Sequence, residues 1–169
     1  MTDLGAEPPP GYREFASARA THLFRIAFLM CGDWHQAEDL VQTTLAKVFV
    51  AWGRIRRSSS AESYARRVML NTFLSQRRLK ASGELPTAEF RDLPAPVVDA
   101  DLRLTLLTAL GQLPPRWRAA VVLRYVEDYS IESVAELMGT TPAAVKSMNA
   151  RGLAHLRQLL GSDQDLLRS

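Results

Sequence analysis

The sequence predicts an all-α protein: two small helical domains joined by a flexible linker, the second built as a helix-turn-helix. Three observations predict it. Apolar residues recur at helical spacing through most of the 169 residues, and no stretch alternates as a strand would. Gly83, Pro86, Pro94 and Pro96 interrupt the span 81–100, which carries no sustained periodicity. Beyond it, Ala135, Gly139 and Val145 fall at the spacing A-x3-G-x5-V, which suits two helices meeting across a tight turn.

The elements follow in order. Residues 1–10, with Pro8–Pro10, read as a disordered tail. Tyr12–Cys31 carries Tyr12, Phe15, Leu23, Ile26, Ala27 and Met30 on one helical stripe, and Gly32 ends it. Asp33 suits the cap of a second helix, with Gln36 three residues on as in a capping box. That helix presents Ala37, Leu40, Val41, Thr44, Leu45, Val48 and Trp52 on one face. Gly53–Ser60 (GRIRRSSS) reads as a short basic, serine-rich loop. A third helix begins near Ser59 or Ser60, with Glu62 placed for its capping box, and runs to about Lys80 through Tyr64, Val68, Met69 and Phe73.

The first domain is therefore expected over 11–80, the linker over 81–100, the second domain over 101–161 and a tail over 162–169. In the second domain Leu102–Leu110 forms a short helix, and Pro115 opens the next, Arg116–Glu127. Ser130 then caps a helix with the stripe Ile131, Val134, Ala135 and Met138. Gly139 supplies the left-handed residue of the turn. Thr141 caps the last helix, with Pro142 in its first turn, and Val145 and Met148 continue the core. Ala143, Lys146, Ser147 and Ala150 project outward, as a recognition helix does toward the major groove. An ordinary antiparallel helix pair shares this spacing. The face bearing Lys146, Ser147, Arg151, His155 and Arg157, with no acid between Glu136 and Asp163, favours DNA, because a solvated face mixes signs.

Net charge is +3, unevenly spread. Residues 1–80 hold twelve Lys/Arg against seven Asp/Glu, 81–100 one against four, and 101–169 eight against seven. Arg54–Lys80 alone holds eight basic residues and one acid, Glu62. The apolar run Leu23–Cys31 is too short to span a bilayer, and the N-terminus has no basic n-region or apolar h-region, so a cytoplasmic protein is expected. Cys31, the one cysteine, excludes an internal disulfide and reads as a small buried hydrophobe.

Catalysis and metal binding find no constellation. His22, His35 and His155 stand apart, without H-x3-H or C-x2-C spacing, and no nucleophile elbow or glycine-rich phosphate loop occurs. Glu38 and Asp39 diverge by about 100° on a helix, so they cannot share a proton; they suit the first turns of a helix. With Gln42, Thr43, Ala46 and Lys47 they form a polar face that serves either solvent or a partner helix. On the third helix Arg67, Asn71, Leu74 and Arg78 share one side, with Arg66, Arg77 and Lys80 nearby. Asn is a poor mid-helix residue unless its amide is used. This side reads either as a solvated basic face or as a reader of single strands and base edges.

Taken in order, DWHQAEDLVQTTLAKVF-x-AW, the loop, SYARRVMLNTFLSQRR, the proline-bearing linker and LPPRWRAAVVLRYVEDYSIESVAELMG, followed by AVKS…R…LR, resemble the extracytoplasmic-function (ECF) group of sigma-70-family initiation factors. The likeness is nearest to the actinobacterial SigE-like branch and covers about residues 11–160. It implies a region 2 domain over 11–80, binding core RNA polymerase and the promoter minus-ten element, and a region 4 domain over 101–161, binding the minus-thirty-five element. Glu38, Asp39, Gln42, Thr43 and Lys47 would dock on the polymerase clamp. The strand of the minus-ten element would meet Arg56, Arg57, Ser58, Ser59 and Ser60, with Arg67, Asn71 and Arg78. Thr141, Ala143, Lys146, Ser147 and Arg151 would meet the minus-thirty-five element. Three positions depart from the family pattern: Thr43 where many relatives have Glu, Met148 where Arg is frequent, and a loop unusually rich in arginine and serine.

The resulting expectation is a non-catalytic specificity subunit without cofactor or metal. Its partners are core RNA polymerase and promoter DNA, with no membrane insertion. An anti-sigma factor is a partner that many relatives have, and nothing in the chain identifies one. A stand-alone helix-turn-helix regulator binding a palindromic operator is the alternative.

Overall fold

The structure, a computed structural model, describes residues 7–58, 60–81 and 100–161; for 56–58 and 100–104 it describes the backbone alone. Among these residues seven α-helices follow one another: α1 Tyr12–Cys31, α2 Trp34–Ser58, α3 Ala61–Ala81, α4 Ala100–Gln112, α5 Pro115–Val121, α6 Ile131–Met138 and α7 Pro142–Gly161, with a π-helical turn Val122–Val126 after α5. The linker expected over 81–100 falls, from residue 82 to 99, outside the described residues, as do residues 1–6 and 162–169.

Local chemistry sets most of the boundaries. Gly32 closes α1 at φ 70°, a conformation that costs glycine little, and its N–H reaches the Phe28 carbonyl at 2.8 Å. Asp33 Oδ1 then accepts from the Gln36 N–H at 2.9 Å and starts α2. Ser130 Oγ and Thr141 Oγ1 cap α6 and α7 in the same way, accepting at 3.1 Å from the N–H of Ser133 and of Ala144 respectively. Gly139, at φ 63°, makes the turn between them.

Two details differ from the sequence expectation. The basic segment from Gly53 to Ser58 continues α2 and is not a loop. Ile55 explains it: the residue extends the stripe of Val48 and Trp52 and is buried with them, and that packing outweighs a helical glycine costing about 1 kcal/mol. The capping box expected for Glu62 involves Ser59, which lies outside the described residues. Ser60 Oγ accepts from Ser63 N–H at 3.3 Å, and the Glu62 carboxylate pairs with Arg19 (3.0 Å) and Arg66 (2.7 Å). The helix expected over Arg116–Glu127 widens into the π turn, from which Glu127 N–H bonds the Val122 carbonyl at 3.2 Å. At the amino end, the carbonyls of Pro9 and Pro10 accept from Tyr12 N–H (3.1 Å) and Trp52 Nε1–H (2.9 Å), so these prolines are tied to the first half.

The two helical halves pack against each other. One buried cluster contains Leu23, Met30, Leu40, Met69 and Phe73 from α1–α3 together with Ala119, Ala120, Val122, Val134 and Val145 from the second half. Each large side chain so buried contributes about 1.5–3 kcal/mol. Arg118, only 5 % exposed, crosses the seam: it donates to the Met30 carbonyl at the end of α1 and, at 3.0 Å each, to the carbonyls of Gly111 and Leu113. Burial pushes its guanidinium down to about 10, still charged at neutral pH.

Candidate functional site

On α7, Thr141, Pro142, Ala143, Lys146, Ser147, Ala150 and Arg151 are exposed, whereas Val145, Asn149, Gly152 and Leu156 are buried. The outward face is therefore the one the sequence predicts. Ala143, Ser147 and Arg151 form a stripe at i, i+4, i+8, with Lys146 alongside. The Thr141 hydroxyl oxygen caps the helix, which leaves its O–H to donate outward. Arg151 lies over the Trp117 ring, guanidinium carbon to centroid 6.0 Å. A helix start with a cation one turn in is suited to phosphate, and an exposed methyl such as that of Ala143 to a thymine methyl.

On α3 the predicted residues divide. Asn71 and Arg78 are exposed, while Arg67, also exposed, reaches Glu136 on α6 at 3.4 Å. Arg66 is occupied: it binds Glu62 and lies 3.6 Å from Glu127, 3.1 Å from His22 Nε2 and over the Tyr129 ring, whose hydroxyl it also bonds. Arg77 donates to the Cys31 carbonyl (3.1 Å) and to Gln36 Oε1 (3.2 Å), which also accepts from Lys80 (2.9 Å). Ser60 caps α3; the side chains of Arg56, Arg57, Ser58 and Ser59 lie outside the described residues.

On α2, Glu38, Asp39 and Gln42 are exposed together. Thr43 and Lys47 turn toward α3, where Lys47 Nζ donates to Thr72 Oγ1 at 3.1 Å. Those two residues join Asn71, Arg78, Arg116 and Trp117 in an open groove of about 1210 Å³ between the halves, which no acid lines among the described residues. Beside Glu38 and Gln42, Trp34 stands 45 % exposed on Phe24, ring centroids 4.5 Å apart.

Several of these positions were not singled out from sequence. Trp34 and Trp117 lie inside the quoted stretches but were given no role of their own, although an aromatic at a helix start beside charged residues is a usable signal. The burial of Arg118 and the cluster of His22, Arg66 and Glu127 (2.8 Å from His22 Nε2 to Glu127 Oε2) join residues far apart in the chain, which no local window reveals. Cys31 is buried, and burial raises its thiol pKa despite Arg77 nearby. Among the described residues no group of His, Cys, Asp and Glu could hold a metal ion, and no helix is long and apolar enough to cross a membrane.

Comparison with known proteins adds the following. A family model described as Sigma-70 region 2 matches residues 16–82, and one described as Sigma-70, region 4 matches residues 103–156. The RNA polymerase sigma-E factor of Streptomyces coelicolor is 36% identical over 158 residues, 91% of this chain and 89% of that protein. The ECF RNA polymerase sigma factor SigE of Mycolicibacterium smegmatis is 31% identical over 160 residues, 89% of this chain and 62% of that protein. Among solved structures, the sigma factor RpoE of Bartonella quintana, in complex with the anti-sigma factor NepR, matches with a TM-score of 0.73 at 25% identity, over 90% of this chain and 98% of that chain.

Proposed function

The chain belongs to the sigma-70 family of RNA polymerase sigma factors, in its extracytoplasmic-function group, and from that premise we propose how its surfaces divide the work of initiation. It is the subunit that binds core RNA polymerase, directs it to specific promoters and promotes DNA melting. The observation that carries this is the succession, on one chain, of a region 2 match and a region 4 match.

In this reading residues 11–80 form the polymerase and minus-ten domain, and 101–161 the minus-thirty-five domain. The exposed acids Glu38 and Asp39, with Gln42, dock on the polymerase; Thr43 and Lys47 flank them at the α3 edge. The residues from Arg56 to Ser60, with Arg67, Asn71 and Arg78, hold the separated strand. Extruding a base costs a few kcal/mol, so a polar group waiting for it helps choose the sequence that melts. The exposure of Asn71 at the groove edge supports this use of its amide. Lys146 takes phosphate, and Ala143, Ser147 and Arg151 face base edges, a reading supported by their shared exposed stripe; Thr141 adds a hydroxyl donor at the helix start.

The protein acts by binding rather than by catalysis of its own, and works in the cytoplasm on nucleoid DNA. Relatives held by anti-sigma factors make such a protein a further candidate partner, as NepR is for the Bartonella quintana RpoE.

The test is run-off transcription from a genomic promoter library, using core polymerase with and without this protein. New transcripts sharing two spaced upstream elements are expected. No new transcripts together with no stable complex with core would overturn the reading in favour of a stand-alone DNA-binding regulator.

A further inference from the structure

Gly152 is buried where α7 crosses α5, and the crossing is close. A Cβ at Gly152 would stand 2.8 Å from Val121 Cγ2 and 3.9 Å from the Cβ of Trp117. The missing side chain therefore lets α5 rise against α7, and Trp117, one turn before Val121 on the same face, comes to lie under the recognition helix. There its ring meets the guanidinium of Arg151, the residue preceding Gly152.

From this geometry we propose that Trp117 is a positioning residue for Arg151: its ring holds the guanidinium ready for upstream promoter DNA. The proposal rests on the reading of α7 as the minus-thirty-five helix. The chemistry suits the task. An arginine free in solvent loses much rotamer freedom when it binds. A cation–π contact with an aromatic face restricts that freedom beforehand and uses none of its five N–H donors, which stay available for a guanine edge or a phosphate. An aliphatic side chain at 117 could fill the seam between α5 and α7 but could not do this.

The experiment is a titration of holoenzyme, made from the full chain and core polymerase, on a promoter containing its upstream element, followed by protection of that element. Trp117→Leu should weaken binding about 2–5-fold, the worth of a cation–π contact at an exposed site. Trp117→Phe, which keeps a ring, should recover most of the loss. In an Arg151→Ala background Trp117→Leu should change affinity by less than about 1.5-fold, since the partner is already gone. An equal loss in both backgrounds would mean that Trp117 only packs the seam, and no loss in either would mean that it does not act at all; each overturns the proposal. A second measurement needs no polymerase. The Arg151 Nε–H resonance of the free chain should carry a ring-current shift that Trp117→Leu removes and Trp117→Phe largely keeps, and a resonance indifferent to both variants would overturn the contact. Should that shift appear while wild-type holoenzyme protects no upstream element, the failure lies with α7 as the reader, and the proposal falls with it.

Discussion

The basic faces of α3 and α7 are built from similar residues and stand in opposite situations. On α7, Lys146, Ser147 and Arg151 are exposed on a helix whose other side is buried core. On α3, Arg66, Arg67 and Arg77 are each engaged by groups from other elements, among them Glu127 and Glu136 of the second half; Asn71 and Arg78 remain outward. A row of arginines in a sequence thus has two fates. One helix leaves its cations exposed, and the other spends part of them on holding the molecule together.

The contrast can be broken at the seam. Arg118→Met should have the largest effect, because it leaves the buried carbonyls of Met30 and Leu113, and the partly buried one of Gly111, without their donor. Stability should fall by about 3 kcal/mol or more, which for a chain of this size lowers Tm by about 6–12 °C. Calorimetry should show one transition in both proteins, as a shared core requires; two separate transitions in the wild type would mean that the halves unfold independently. Gly152→Ala should come next. Its methyl group would meet Val121 at 2.8 Å, and that overpacking should exceed the gain in helix propensity, leaving a net loss of about 1–2 kcal/mol by denaturant unfolding. The smallest effect is expected at Arg67–Glu136, whose side chains are 50 % and 77 % exposed. Glu136→Gln should change stability by less than about 0.5 kcal/mol, and less still in high salt. A larger change would show that this ion pair, and not the buried seam, couples α3 to α6.

What could be read from the sequence follows the same division. Gly32, Asp33, Ser130, Gly139 and Thr141 act on backbone groups two to four residues away, so their caps and turns were legible, and with them the outward face of α7. The continuation of α2 past Gly53 was not, because Ile55 is buried by residues distant in the chain while Arg56, Arg57 and the serines argue locally for a loop. Arg118 reads as one more charge at a helix start; only the placement of α1 makes it a buried clasp. Asn71 and Arg67 were legible as residue types on one face, but their separation into an outward amide and an occupied guanidinium depends on α6, more than sixty residues on.

Central to the proposed function is the division of melting and upstream recognition between separate surfaces, α3 and α7. It is tested most directly by following both events on one promoter with holoenzymes carrying Asn71→Ala or Lys146→Ala, reading strand opening by permanganate reactivity and upstream contact by protection across a salt series. Asn71→Ala should reduce opening while core binding and upstream protection persist. Lys146→Ala should weaken upstream contact and lower the magnitude of the log-affinity versus log-salt slope by about one, with opening retained at saturating protein. If Asn71→Ala left opening unchanged, or if both variants impaired both events alike, the division between α3 and α7 would be contradicted.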